Sequence, residues 1–311
     1  MKIIVTGAAG FIGFHSCLRL IKEKYDVIGI DNINSYYDIN LKISRINELN
    51  KLTDKEKGKW NFFKVDLEEE KELFKIFNEF RPNIVLHLAA QAGVRYSIEQ
   101  PKSYINSNLI GFFNIIELCR KFDIKNFIYA SSSSVYGGNK RLPFSEVDSV
   151  DHPISLYAAT KKSNEVIAHC YSHLYGIPTT GLRFFTVYGP WGRPDMAPII
   201  FAKAIAKNIP IKIFNYGKMK RDFTYIDDIV EGIFRCCFKP ATPDQDFDYE
   251  NPNQSTSFAP NRIFNIGNNQ TIELLKFIEI LENELNIKAI KVMKPLQPGD
   301  VIATEADTQI L

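Results

Sequence analysis

Through the first two thirds of the chain, short apolar runs alternate with longer stretches in which apolar residues recur every three or four positions. Runs of the first kind read as buried strands and stretches of the second kind as amphipathic helices. The pattern predicts strands at Lys2–Thr6, Asp26–Ile30, Asn61–Val65, Ile84–His87, Asn126–Ala130 and Thr179–Phe184. Helices are predicted between them at Phe11–Lys24, Ile39–Leu52, Glu69–Phe80, Lys102–Lys121 and Leu156–Tyr175. Strand–helix alternation carried through six strands predicts an α/β fold with a Rossmann-type, doubly wound parallel sheet. From about Pro190 the rhythm shortens to a helix at Ile199–Lys207, a strand at Ile211–Phe214, a helix at Asp227–Phe238, a strand at Ile263–Ile266 and a helix at Ile272–Glu284. The chain therefore divides into a large domain at 1–188 and a smaller C-terminal α/β lobe at 189–311. The polar stretch Lys239–Arg262 reads as an exposed loop, and the lysine-rich Asn50–Lys59 as a solvated helix end.

With 311 residues, 45% of them apolar and 24% charged, the chain has the composition of a folded enzyme rather than a disordered segment. A net charge of +2 gives no electrostatic case for nucleic acid or a membrane surface. No apolar run approaches the roughly 20 residues of a membrane span. The start runs directly into a strand, which argues against a signal peptide. Five cysteines with no C-x-x-C pair argue against a disulfide framework, and a reducing cytoplasm is the expected location.

Gly7-Ala-Ala-Gly10-Phe11-Ile12-Gly13 follows the first strand and opens the first helix. Glycines there allow a sharp turn and bring helix-start N–H groups against a pyrophosphate. Asp31 closes the second strand, 18 residues beyond Gly13. A carboxylate at that place accepts ribose hydroxyls and repels a 2′-phosphate, which favours NAD over NADP; the alternative is a turn-starting aspartate before Asn32. Asp66 at the end of the third strand is placed for the adenine amino group. Leu88, Ala89 and Ala90 end the fourth strand with small side chains where a cofactor passes closely.

The fifth strand runs into four serines, Ser131 to Ser134, and Tyr157-Ala-Ala-Thr-Lys161 begins 25 residues beyond Ser132. Positions four apart share a helix face, so Tyr157 and Lys161 point at one cleft. An ammonium and a nicotinamide cation would pull the phenol from about 10 towards neutrality, which suits Tyr157 as a base. Ser132 would hold the reacting hydroxyl.

At these residues the sequence resembles the extended short-chain dehydrogenase/reductase superfamily, and within it the nucleotide-sugar epimerases and dehydratases. TGAAGFIG, HLAAQAGVRYS, YASSSSVYG and YAATK carry the resemblance. LRFFTVYGPWGRPDMA, GKMKRDFTYIDDIVEGI and QPGDV are most similar to the bacterial UDP-glucuronate 4-epimerases. The resemblance implies Asp31, Asn32, Asp66, Leu67 and Asn108 around NAD, with Lys161 on the nicotinamide ribose and Phe184 near the nicotinamide. It implies Arg221 and Gln297 at the UDP phosphates and ribose, helped by Asp300. Gln297 stands where galactose-type epimerases carry arginine, which points to the uronate branch. The family also continues into a final helix beyond the point where this chain stops. A homodimer through the Lys102–Lys121 and Leu156–Tyr175 helices is a further implication.

The implied reaction oxidises carbon 4 of a UDP-sugar to a ketone and returns the hydrogen on the other face. Dehydrating relatives carry Asp-Glu after the serine, and decarboxylating ones a Glu; Ser133 and Ser134 cannot act as acids there at neutral pH. A 4-keto uronate is a β-keto acid that loses carbon dioxide readily, so its carboxylate needs firm holding. Ser133, Ser134, Thr186 and Arg193 form the expected cradle, with Arg95 as a lesser candidate. Arg193 also reads as a surface residue of a Gly-Arg-Pro turn. Rival readings are an epimerase of UDP-glucose or UDP-N-acetylhexosamines, a UDP-glucuronate decarboxylase, and an NAD-binding regulator without turnover. His169 and His173 share a helix face at a zinc-compatible spacing but lack a third ligand in the sequence nearby, so no metal is expected. His15 and His87 read as packed or backbone-bonded, and Cys17 and Cys119 as core.

Overall fold

A computed structural model describes residues 1–53, 58–297 and 299–311; positions 54–57 of the lysine-rich segment therefore lie outside the described residues. The strands are β1 (Lys2–Thr6), β2 (Asp26–Asp31), β3 (Trp60–Lys64), β4 (Ile84–His87), β5 (Asn126–Ser132), β6 (Thr179–Phe184), β7 (Thr186–Tyr188), β8 (Ile211–Ile213), β9 (Lys220–Tyr225), β10 (Asn261–Ile266), β11 (Thr271–Glu273) and β12 (Lys291–Met293). The helices are α1 (Phe11–Lys22), α2 (Ile39–Thr53), α3 (Glu70–Phe80), α4 (Tyr96–Glu99), α5 (Pro101–Tyr104), α6 (Gly111–Lys121), α7 (Leu156–Tyr175), α8 (Ala197–Ala206), α9 (Ile226–Phe238) and α10 (Leu274–Leu285). Seven parallel strands form the central sheet in the order β10-β6-β5-β4-β1-β2-β3. The order reverses at β1, and a crevice opens there above the carboxyl ends of the strands.

The inner strands are largely apolar because both faces are covered. Ile3, Val5 and Val27 pack with Phe14, Cys17 and Leu20 of α1 and Ile229 and Ile233 of α9. Ile4, Ile28 and Ile30 turn the other way, towards Leu73 and Phe77 of α3 and Phe112, Ile115 and Cys119 of α6. A smaller core joins Phe201 and Ile205 of α8 to Ile211, Ile213, Leu274 and Ile278.

Two departures from the sequence pattern bear on the site. The division at residue 188 is crossed by the chain: α9 packs on α1, and β10 pairs with β6 as the edge of the main sheet, so both belong to the larger body. The stretch expected as one helix at Lys102–Lys121 is α5, then a π-helical turn at Ile105–Ile110, then α6. Asn164 of α7 donates to the Asn108 carbonyl at 2.7 Å, giving that oxygen a partner outside its own helix, as a π turn requires.

Candidate active site

At the amino end of α1 the glycine turn is built without room for side chains. Gly7 has φ +70°, and its carbonyl receives the Gly10 N–H at 2.9 Å. A Cβ on Gly13 would lie 2.0 Å from that same carbonyl oxygen, so helix and strand approach as closely as backbones can. A Cβ on Gly10 would meet only the Gly7 carbonyl and otherwise project into open space. That space belongs to a cavity of about 930 Å³ lined by Gly7, Gly10, Phe11, Ile12 and Gly13. A helix start with its N–H groups facing a void is what a pyrophosphate fits.

The same cavity is lined by Asp31, Asn32, Asp66, Leu67, Leu88, Ala89 and Ala90. Asp31 does more than line it. Its carboxylate accepts from the Ala9 N–H at 3.1 Å and the Ile33 N–H at 2.8 Å, so it also fastens the glycine turn and the loop after β2. Burial pushes its carboxyl up, opposed by the charge of Lys42 and by those two N–H groups. Asn32 donates to Asp66 at 2.7 Å, which joins the ends of β2 and β3.

Tyr157 and Lys161 open on the cavity beside Ser132, Ser133, Ser134, Phe184 and Thr186. The helix that carries them starts where the Ser155 hydroxyl accepts from the Ala158 N–H, and ends at left-handed Gly176. Lys161 is 2% exposed and donates to the Ala130 carbonyl at 2.9 Å. Burial brings its ammonium down to about 8, with the charge of Glu165 opposing. Burial raises the Tyr157 phenol above its ordinary value, and the counter-effects come from Ser132 and from the charge of Arg193.

Arg193 reaches the cavity and sits against Asp195, Nε to Oδ1 at 3.1 Å. Arg193 is half-buried there, not fully exposed. At the cavity's other end Arg221 donates to the Val301 carbonyl at 2.8 Å, and Arg95 pairs with Asp300 at 2.7 Å while lying over the Phe214 ring. Arg95 was expected near the carboxylate cradle; the structure groups it with Arg221 and Asp300, because Asp300 draws its guanidinium that way.

Two expected contacts are not with the cavity. Asn108 is 1% exposed, and its amide is used up on the Gln91 backbone at 2.8 and 3.0 Å and on Thr160 at 3.1 Å. It acts from behind, tying the loop after β4 to the helix of Tyr157. Gln297 does not line the cavity, and its buried amide oxygen has no partner among the described residues. His169 bonds the Ser257 hydroxyl at 2.7 Å, and His15 the Pro190 carbonyl at 2.9 Å.

Sequence reasoning missed Tyr36, Lys42 and Asp195, all cavity-lining, and Arg45 behind them. Arg45 is fully buried and donates to the Ala9 carbonyl, the Tyr37 hydroxyl and the Trp191 carbonyl. Tyr36, Lys42 and Arg45 follow Asp31 closely in the sequence, and polar or aromatic side chains clustered there were the available signal; Asp195 lies far along the chain and offered none.

One crevice thus lies over the switch in strand order and is lined by both the glycine turn and a Tyr-x-x-x-Lys pair, the plan of a short-chain dehydrogenase/reductase. More particularly, the chain belongs to the NAD dependent epimerase/dehydratase family, whose model matches residues 3–267. Protein CapI of Staphylococcus aureus is 54% identical over 100% of this chain and 91% of its own length. A probable UDP-glucuronate 4-epimerase of Rhizobium meliloti (strain 1021) is 45% identical over 100% of this chain and 90% of its own. Among solved structures, UDP-glucuronic acid 4-epimerase from Bacillus cereus in complex with UDP-glucuronic acid and NAD superposes with TM-score 0.83 at 34% identity, covering 99% of this chain and 90% of that one.

Proposed function

We propose that the chain interconverts UDP-glucuronate and UDP-galacturonate, using tightly held NAD. Support comes from one observation above the rest: Arg193 lines the cavity with Tyr157 and has its charge felt there, while Ser133 and Ser134 leave the adjoining wall without a carboxylic acid. The Bacillus cereus enzyme and the Rhizobium meliloti relative carry names with the same activity.

In this reading the turn Gly7–Gly13 holds the pyrophosphate, Asp31 the adenosine ribose, Asp66 the adenine, and Lys161 and Phe184 the nicotinamide riboside. When bound, NAD takes up the hydrogen of sugar carbon 4 and gives it back. Tyr157 removes the 4-hydroxyl proton and later restores it. Ser132, which eases ionisation of that phenol, keeps the hydroxyl in line. Arg221, Arg95 and Asp300 receive the diphosphate and ribose end, with Gln297 supporting from behind. Arg193, Ser133, Ser134 and Thr186 hold the carboxylate of the keto acid against loss as carbon dioxide, each charge-assisted bond contributing about 1.5–3 kcal/mol.

Purified protein mixed with UDP-glucuronate and no added NAD is expected to form UDP-galacturonate, resolved by anion-exchange chromatography. Carbon dioxide and UDP-xylose as main products would instead mark a decarboxylase. Turnover confined to UDP-glucose or UDP-N-acetylhexosamine would mark a neutral-sugar epimerase. Tyr157→Phe is expected to abolish conversion and keep NAD; a protein with nothing to abolish would be a cofactor-binding regulator. We place the protein in the cytoplasm, consistent with five free cysteines. A homodimer is proposed through the neighbouring α6 and α7, which carry exposed Phe113 and Val166.

A further inference from the structure

The guanidinium of Arg193 is not free. Its Nε and Nη2 both donate to the Asp195 carboxylate, so one whole edge of the fork is taken. Nη1 donates to neither oxygen of the Asp195 carboxylate, and it is the edge left for a ligand. Asp195 is itself held: the Tyr36 hydroxyl donates to its Oδ2 at 3.0 Å. Tyr36 also lies under the Arg193 guanidinium, 5.8 Å from ring centroid to Cζ, and against Tyr96, with ring centroids 4.8 Å apart. Gly93, at φ +101°, makes the room, since a Cβ there would stand 2.7 Å from the Tyr36 hydroxyl. Tyr36 and the loop of Arg193 and Asp195, far apart in sequence, therefore meet at one guanidinium, with Gly93 and Tyr96 packed against the tyrosine. An arginine pinned on one edge has its plane fixed, whereas a free one turns about its last torsions.

We propose that Asp195, braced by the Tyr36 hydroxyl, is a positioning residue that fixes the plane of Arg193 so that its remaining edge holds the substrate carboxylate and keeps the keto acid from losing it. This rests on the UDP-glucuronate reading above. The chemistry at stake balances as follows. Carbon 4 gives two electrons and a hydrogen to the bound dinucleotide, and its hydroxyl proton to Tyr157. If the ring then puckers, turning the carboxylate axial so that the C5–C6 bond stands across the carbonyl plane, that bond breaks. Carbon 6 leaves as carbon dioxide, and its electron pair enters an enolate over carbons 4 and 5. A proton from water at carbon 5 completes the 4-keto pentose. An Arg193 fork that cannot rotate prevents that turn, and one that can rotate permits it.

The test is product partition. Wild type, Asp195→Asn and Tyr36→Phe are incubated with UDP-glucuronate carrying carbon-14 at carbon 6. Trapped carbon dioxide is divided by UDP-galacturonate formed. Asp195→Asn keeps the size but loses one acceptor, and the ratio is expected to rise about tenfold. Tyr36→Phe, which leaves the ion pair and removes its brace, is expected to raise it about threefold. A merely structural role would lower total turnover and leave the ratio alone. Ratios within twofold of wild type in both variants, with wild type converting UDP-glucuronate, overturn the proposal and leave the function standing. Wild type that leaves UDP-glucuronate unconverted overturns both.

Discussion

Lys161 is the residue whose replacement separates function from stability most sharply. Its ammonium is 2% exposed, and burial brings it from 10.5 to about 8. That difference corresponds to about 3 kcal/mol held against the folded state at neutral pH. Lys161→Met keeps an unbranched chain of similar length and removes the buried charge. It also leaves the Ala130 carbonyl, now 2.9 Å from Nζ, without its donor, at about 1–3 kcal/mol. The balance at pH 7 is a variant between neutral and about 2 kcal/mol more stable, with no epimerase activity. The pH dependence carries the stronger test. A group whose value is depressed on folding contributes stability that is present above its unfolded value and lost as pH falls through the folded one. The wild type therefore gains stability between about 8 and 10.5, and the advantage of the variant shrinks by about 1.4 kcal/mol per pH unit there. Urea unfolding of both NAD-stripped proteins at pH 7, 8, 9 and 10 reads this directly. A variant more than about 1 kcal/mol less stable at pH 7, or a difference constant across that range, would refute the reasoning.

Glu165 and Arg183 form a buried pair, Nε to Oε1 and Nη2 to Oε2 both at 2.9 Å, so Glu165→Ala should cost about 3–5 kcal/mol in urea unfolding and Glu165→Ala/Arg183→Met should recover part of it. Burial raises the Glu165 carboxyl but Arg183 brings it below its ordinary value, so this contribution is present above about 4.3 and is lost as pH falls below that, a loss the Ala variant should not show. Gly13→Ala puts a methyl 2.0 Å from a backbone oxygen and should remove NAD binding together with about 1–3 kcal/mol of stability, read by cofactor content and unfolding midpoint. Asp31→Ala should weaken NAD by about 10–100-fold in a fluorescence titration, the worth of one or two charge-assisted bonds, and NADP far less; equal losses would remove the ribose role.

The inner strands of the central sheet were legible because they are buried on both faces and carry short apolar runs bounded by polar residues. Lys2–Thr6, Ile84–His87 and Thr179–Phe184 appear where the pattern set them. The short strands β7, β9, β11 and β12 were not, since three to six residues pairing across long gaps leave no periodic trace. The π turn was hidden for a different reason: apolar spacing around Ile105–Ile110 reads as ordinary helix, and what shifts it is the bond from Asn164, 56 residues from Asn108. At the site, Ser132, Tyr157 and Lys161 were readable from spacing along one helix and its preceding strand. Asp195 was not, although it stands two residues from Arg193, because an aspartate after Arg-Pro also reads as a turn residue. Only Tyr36, 159 residues away, gives it a second role.

Tyr157, Lys161 and Glu165 follow one another at four-residue steps on one face of α7, and the three answer different demands of the same cavity. Glu165 accepts from Ser131 at 2.6 Å and from Arg183, so the helix is fastened to β5 and β6 one turn beyond the lysine. That fastening brings a negative charge near Lys161 and keeps its ammonium protonated at neutral pH in surroundings that disfavour it. The lysine also holds the Ala130 carbonyl, while burial raises the phenol and positive charge nearby opposes that rise. Arg193 supplies part of that charge from the far wall. A nicotinamide ring bound beside Tyr157 would add further positive charge there and favour ionisation of the phenol.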